Sequence, residues 1–303
     1  MSKPGKLLAI DGLNIVRRVY EASPEPDSDL KAGIALRHAF SSFRNVLEVH
    51  APTHVLAAFD YGGPNWRHEL YPRYREGRAA MPSPLREALP EFHERLRKAG
   101  VQVVSLPGVE ADDVIATGVM RWLNEGRGEA IVATTDKDLH VLIAHGALVW
   151  DHFKNEWHDD AWVRARFGVA PELLHDLLSL MGDPTDGVPG VSKIGMKTAA
   201  RLLNAYGSLD AVVAGAGILK TPLGEGPAAE PGFLPPMREL ARAHPRLDHD
   251  LMQQFLQHGG EPYQQPLDES YSRQLDRELA AIQNEAALPV LDEVVLEAER
   301  TQF

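Results

Sequence analysis

At 303 residues the chain is long enough for about two structural units. It contains no cysteine, so disulfides, thiolate metal sites and a cysteine nucleophile are excluded, and its 44% hydrophobic and 24% charged residues exclude wholesale disorder. The net charge of −12 does not exclude a nucleic-acid partner, because residues 64–100 carry eight Lys/Arg against five Glu, while residues 261–303 carry ten acids against three Arg.

In chain order, Lys6–Ile10, Val55–Phe59, Val101–Ser105, Ala130–Thr134 and Ala147–Trp150 read as short buried strands. Leu30–His50, Pro84–Ala99 and Asp112–Asn124 carry helical patterns between them. This alternation predicts an α/β domain whose parallel sheet is covered on both faces. After Trp150 the strand signal fades. Pro171–Met181 and Lys197–Tyr206 read as helices on either side of the turn-rich Gly182–Gly190. Residues 215–236, with five Gly and five Pro, read as an irregular linker, and Met237–Gln257 as a further helical stretch before the acidic tail. No apolar run approaches the roughly 18 residues of a membrane span. The run Leu7–Ile10 stops at Asp11, too short for a secretory core. A soluble cytoplasmic protein with no membrane partner is expected.

In open α/β sheets, functional groups gather beyond the carboxyl ends of the strands. Asp11, Asp60 and Asp136 each follow a predicted strand within two residues. Glu110, Asp112 and Asp113 open a predicted helix, with Glu110 and Asp113 on one face at i, i+3 and Asp112 off it. Helix capping is the plainer role for this trio. Asp138 completes the Asp136-Lys-Asp pair, and Asp183 and Asp186 sit in a Gly/Pro loop where Asx-turns are common. Gathered at one sheet edge, these nine acids would repel by about 4 kcal/mol per close pair at an effective dielectric of 20. Divalent cations would relieve that repulsion, and oxygen-only ligation selects Mg²⁺ or Mn²⁺. Two such ions can clamp the attacking and leaving oxygens of a phosphodiester.

Other catalytic patterns fail. His93-Glu94 has Arg97 where a second zinc-binding His would stand, and Met196 breaks the Gly-Lys pair of a phosphate-binding loop at Gly190–Thr198. That segment fits a helix–hairpin–helix instead. Gly190 and Gly195 permit a tight turn whose free N–H groups meet a DNA phosphate, and Lys193 and Lys197 add charge. An ordinary helical corner with solvated lysines is the bland alternative.

Six motifs occur in a recognisable order: Asp11-Gly-Leu-Asn, Phe59-Asp60, Tyr74-Arg-Glu-Gly-Arg78, Glu110-Ala-Asp-Asp113, Thr135-Asp-Lys-Asp138 and Gly182-Asp-x-x-Asp-x-x-Pro-Gly190. Over roughly residues 5–215 they resemble the 5′-nuclease (flap endonuclease) family, in particular the bacterial DNA polymerase I 5′→3′ exonuclease domain and stand-alone exonuclease IX-like proteins. The resemblance implies a PIN-like α/β nuclease domain over 1–175 with a helical arch at about 64–100. A helix–hairpin–helix domain over 176–260 would follow; the acidic segment over 261–303, read from its composition, would be either an ordered cap or an element that binds an unknown protein partner. It implies one ion at Asp11, Asp60, Glu110 and Asp112, with Asp113 nearby or bridging. A second ion would lie at Asp136, Asp138, Asp183 and Asp186, and K⁺ at the hairpin. Arg18, Arg75 and Arg78 would serve the scissile phosphate, and Arg67 and Tyr74 would contact DNA from the arch, although Tyr74 reads equally well as a core tyrosine. Position 75 departs from the family, which usually has Lys there.

The implied activity is Mg²⁺-dependent hydrolysis of branched DNA bearing a 5′ flap or 5′ end, leaving 5′-phosphate and 3′-hydroxyl ends. A junction-binding protein of the same fold with little catalysis, or a PIN-type ribonuclease, shares many of these features.

Overall fold

The structure, a computed structural model, describes residues 4–191 and 193–219. The chain opens with β1 (Gly5–Asp11), α1 (Gly12–Ala22), α2 (Asp29–His50) and β2 (His54–Ala58). Then come α3 (Trp66–Leu70), α4 (Ser83–Lys98), β3 (Gln102–Val104), α5 (Ala111–Asn124) and β4 (Gly128–Ala133). A 3₁₀ segment (Asp138–His145), β5 (Leu148–Asp151) and β6 (Glu156–His158) complete the sheet. Its order is β3-β2-β1-β4-β5-β6; all neighbours are parallel except the β5–β6 hairpin.

Each face of this sheet buries one stripe of every central strand, which is why β1 reads as an unbroken apolar run. Leu8 and Ile10 join Val16, Phe40, Phe43, Phe92 and Leu96 under α1, α2 and α4. Leu7 and Ala9 point the other way, into a core with Val114, Ile115 and Val119 of α5. All five predicted strands and the three predicted helices of this region form, with shifts of one or two residues at their ends.

From β1 the chain runs outward to β2 and β3, then returns to the other side of β1 as β4 and β5. Strand order therefore reverses beside β1, which opens a crevice at the carboxyl edge of the sheet.

A smaller helical layer follows: α6 (Asp160–Phe167), a 3₁₀ turn (Pro171–Leu173), α7 (Leu174–Met181), the two-residue pair β7 (Gly182–Asp183) and β8 (Val188–Pro189), α8 (Met196–Tyr206) and α9 (Leu209–Leu219). Val163, Leu177, Leu180, Ala199 and Leu203 form its core. α9 occupies the first five residues of the predicted 215–236 linker, because Leu209, Val212 and Val213 give it an apolar face on that core. The helical stretch expected at 237–257 and the acidic segment 261–303 lie outside the described residues. Among those described, no helix is long and apolar enough to cross a membrane.

The stretch expected to form an arch divides in two. α4 packs into the core through Leu85, Leu89, Phe92 and Leu96. The preceding loop, residues 71–82, carries Tyr74 and Arg75 over the carboxyl edge of the sheet.

Candidate functional site

The register Asp11↔Ala58, Ile10↔Ala133 and Ala58↔Val104 brings the exits of β1, β2, β3 and β4 to one edge. Asp11 caps α1: its Oδ1 accepts the Asn14 amide at 3.1 Å, and its Oδ2 accepts the Thr134 hydroxyl at 3.0 Å. Thr134 Oγ1 in turn accepts the Asp136 amide at 2.9 Å, so the β1 and β4 exits are tied together. Asp112, in the first turn of α5, projects toward both. Carboxylate oxygens of Asp11, Asp112 and Asp136 lie within 4.8 Å of one another. Asp60 stands beside them, with its Oδ1 accepting the Ala111 amide at 2.8 Å.

A second group, Asp138, Asp183 and Asp186, also lies within 4.8 Å of one another. It depends on a close backbone crossing. A Cβ on Gly190 would come within 2.2 Å of the Met181 carbonyl, and one on Gly182, at φ +75°, within 2.2 Å of the Gly190 amide. Only glycine fits at both positions. The crossing holds the β7–β8 turn, and with it Asp183 and Asp186, against the Asp138 segment. The Lys137 ammonium donates to Asp183 Oδ2 at 2.6 Å and lies 3.6 Å from Asp138 Oδ1.

In the Glu110–Asp113 trio, Glu110 and Asp113 share one side and Asp112 lies off it, as their spacing predicts. Glu110 is the N-cap of α5, and a capping box joins it to Asp113. Asp113 turns inward, accepts the Glu110 amide at 3.0 Å, and is fully buried. Arg67, 3% exposed, grips it with two hydrogen bonds of 2.8 and 3.0 Å, and the Trp66 indole N–H adds a third at 3.1 Å. Asp113 is therefore closed to an ion, and Arg67 is a buried counter-charge to it. The expected DNA contact by Arg67 has no surface to act from in this arrangement. Asp112, which the resemblance set in the first ion group, is the member that reaches the open cluster. Glu110 is buried too, held by Asn65 Nδ2 at 2.6 Å, Arg67 at 3.2 Å and Arg75 at 2.7 Å. Tyr74 is equally enclosed; its hydroxyl donates to Asp186 Oδ2 at 3.0 Å and Glu110 Oε2 at 3.2 Å. It braces acids here and offers DNA no exposed ring.

The remaining cations face the crevice. Arg75 reaches Asp186 Oδ1 at 3.0 Å and lies 3.7 Å from Asp60 Oδ2; Arg78 lies 3.4 Å from Asp186. Arg18 stacks over the Phe153 ring at 4.5 Å. With Arg17, these three arginines rim a cavity of about 530 Å³ whose floor holds Asp11, Asp60, Asp112 and Asp136. Lys193 and Lys197 are exposed at the turn leading into α8, whose N-cap is Gly195. Lys193 has a left-handed backbone, φ +65°. Lys137, Thr134 and Asn14 were missed as site residues. The first lies between two quoted acids, and the others at hydrogen-bonding offsets from Asp136 and Asp11.

Burial, then Asp136, pushes the Asp11 carboxyl up to about 7. Burial and Asp136 push Asp138 up to about 8, and Asp112 is raised well above the ordinary range by burial and the same neighbour. Burial also raises Asp186, but Arg75 overrules it and holds that carboxyl below the usual value. Asp138 Oδ1 is buried without a hydrogen-bond donor. Clustered acids that resist ionisation, one with an orphaned oxygen, are a donor set suited to a hard divalent cation.

The folded protein keeps these protons to higher pH than the unfolded chain does, so without metal it loses stability as pH rises from about 4 to about 8. A bound cation replaces the protons. Thermal melts in EDTA are expected to fall between pH 6 and pH 8, and Mn²⁺ to raise Tm more at pH 8. Equal gains at both pH values would put the cation elsewhere.

Residues 6–168 match the family model for the 5′-3′ exonuclease N-terminal resolvase-like domain, and residues 169–232 the 5′-3′ exonuclease C-terminal SAM fold. The chain belongs to the 5′-3′ exonuclease family. It is similar to the flap endonuclease Xni of Shewanella sp. (strain ANA-3), 37% identical over 207 residues, covering 68% of this chain and 78% of that protein. The Shewanella baltica (strain OS223) flap endonuclease Xni is 38% identical over 204 residues, 67% of this chain and 76% of that one. Among solved structures, the T5 5′-exonuclease with bound zinc superposes with a TM-score of 0.67 at 18% identity, covering 86% of this chain and all of that one. The catalytic core of Rad2 in complex with DNA substrate gives 0.53 at 15% identity, over 91% and 92%. These two share the fold: the mostly parallel sheet followed by the small helical domain.

Proposed function

We propose that this member of the 5′-3′ exonuclease family is a Mg²⁺-dependent, structure-selective 5′ nuclease acting on branched DNA with a 5′ flap or 5′ end. One observation carries the reading: two groups of three carboxylates at the carboxyl edge of the sheet, beside an arginine-rimmed cavity. Asp11, Asp112 and Asp136, with Asp60, would hold one ion, and Asp138, Asp183 and Asp186 a second. When bound, such ions supply an activated water and stabilise the leaving oxygen of a phosphodiester. The chain's own part is placement. Arg18 and Arg78 bring a phosphate over the acids, and Tyr74 and Asn65 hold Glu110 and Asp186 in register beneath it. The names of the flap endonuclease relatives support the substrate class. K⁺ at the α7–α8 hairpin belongs to the same reading and rests on the family resemblance.

The test is a 5′-labelled flap duplex incubated with Mg²⁺, with Ca²⁺ and with EDTA, the cut mapped on a gel. Cleavage at the flap base with Mg²⁺ alone is expected, leaving 5′-phosphate and 3′-hydroxyl ends. Binding without cleavage in Mg²⁺ would favour a junction-binding protein, and preferential cutting of an RNA hairpin a ribonuclease.

The duplex grip is separable from the acids. If the hairpin and crevice neutralise about five phosphates, log K falls against log salt with a slope of roughly −4 to −5. Lys193→Ala with Lys197→Ala is expected to flatten that slope by up to about two units and to weaken flaps and plain duplex alike. An unchanged slope would locate the grip away from this hairpin.

A further inference from the structure

His140 and His158 are both buried, and neither touches the crevice. His140 sits in the 3₁₀ segment that follows the Asp136–Asp138 acids, and its Nδ1 lies 2.8 Å from the main-chain carbonyl of Asp136. A carbonyl can only accept, so Nδ1 carries the proton and donates it. The other nitrogen, Nε2, lies 2.8 Å from His158 Nδ1 at the end of β6. With His140 neutral, Nε2 accepts and His158 donates. His158 in turn stacks on Trp162 of α6, ring centroids 3.6 Å apart and 12° from parallel, and His140 stacks on the same indole at 5.1 Å. Trp162 packs against the core of the small helical layer.

We infer that His140 and His158 are positioning residues for the metal-bearing Asp136–Asp138 loop, an inference that rests on the metal-dependent reading of the site. The loop presents alternate side chains in two directions: Asp136 to the Asp11 group and Asp138 to the Asp183 group. Whether both arrive depends on the peptide between Asp136 and Lys137. On one side Asp136 is fixed by its amide on Thr134 Oγ1. On the other, His140 pins its carbonyl. Freed from His140, that peptide can turn and carry Asp136, Lys137 and Asp138 with it. His158 prevents this by fixing the imidazole plane, as outer hydrogen-bond partners orient ligands at metal sites generally. A packed aromatic cluster with no such role would need only the ring shapes.

The two roles separate with shape-conserving variants. His140→Phe keeps a ring on Trp162 and loses both hydrogen bonds. His140→Asn keeps a donor near the Nδ1 position. His158→Phe keeps the stack and leaves His140 Nε2 without a donor. Mn²⁺ affinity of the DNA-free protein by titration calorimetry is the main readout, with Tm in EDTA as the check on folding. His140→Phe is expected to bind Mn²⁺ about 10- to 100-fold more weakly and to cleave flap DNA with lowered kcat and unchanged KM. His158→Phe is expected to show a smaller loss, and His140→Asn to recover most of the affinity. Folded Phe variants with wild-type Mn²⁺ affinity and kcat would overturn the assignment. So would an Asn variant no better than Phe, since packing alone would then explain the loss. If His140→Phe does not fold, His158→Phe and His140→Asn decide by the same criteria. Wild-type protein that binds no Mn²⁺ would refute the metal site itself and the histidine role with it.

Discussion

Asp136→Asn is expected to slow single-turnover cleavage of a 5′-flap duplex by about a hundredfold to a thousandfold, the scale seen when a preorganised electrostatic partner is removed, while duplex affinity stays within about twofold. The asymmetry follows from where the groups lie. Asp136 shares the cavity floor with Asp11 and Asp112, whereas the exposed lysines at the α7–α8 turn are on a separate element. The substitution is also structurally mild. Asp136 Oδ1 accepts the Asp138 amide at 3.0 Å, and an Asn Oδ1 can accept the same bond. What is lost is charge and an anionic ligand. Asp183→Asn is expected to act in the same direction through the second group. It also removes the charge opposite Lys137, so its Tm in EDTA is measured alongside. Gel-shift affinity and rapid-quench rates on one flap substrate check both. Wild-type turnover of either variant at ordinary Mg²⁺ would sink the two-ion assignment.

The sheet was legible because both of its faces are covered. β1 could only be an unbroken apolar run ending in a polar residue, and the acid at that end then marked the crevice. The same logic found Asp60 and Asp136. The i, i+3 spacing also set Glu110 and Asp113 on one side and Asp112 off it, and Arg67 holds the first two together. Spacing left open which side meets the crevice: Asp112 joins Asp11 and Asp136, while Asp113 turns inward. No local pattern could reveal that Arg67, 46 positions away in sequence, would bury its guanidinium on that acid. A charged residue in a basic stretch reads as solvated unless its partner is known. Tyr74 was open between an arch aromatic and a core tyrosine, and the structure places it in the core with its hydroxyl committed to Glu110 and Asp186. α6 and β6 went unread because β6 has three residues and α6 eight, each too short for its period to stand out.

At position 75 the chain carries Arg where the family usually has Lys, and a broad planar fork replaces a compact ammonium. The structure gives that fork a second occupation. Arg75 Nη1 lies 2.7 Å from Glu110 Oε1, its Nε donates to Asp186 Oδ1 at 3.0 Å, and its own amide donates to the Asp186 carbonyl at 2.7 Å. The residue holds φ +55°, a left-handed conformation that costs a side chain with a Cβ roughly 1–2 kcal/mol and persists only where neighbours over-determine it. The guanidinium thus acts as an internal cation among acids of both groups, and it competes with a divalent ion for Asp186. It must also let go before it can serve a phosphate. Arg75→Ala is therefore expected to do two opposite things. Mn²⁺ binding to the DNA-free protein should tighten about tenfold, about 1.4 kcal/mol. Single-turnover flap cleavage should fall about a hundredfold, because the phosphate loses its positioned charge. Arg75→Lys keeps a cation but cannot fork between Glu110 and Asp186. It should tighten Mn²⁺ binding and raise single-turnover cleavage above wild type, with flap affinity unchanged within about twofold. Calorimetry and rapid-quench kinetics on the three proteins decide the matter. If Arg75→Ala matches wild type in both metal affinity and rate, Arg75 neither screens the acids nor meets the phosphate, and Arg78 and Arg18 are left to hold it.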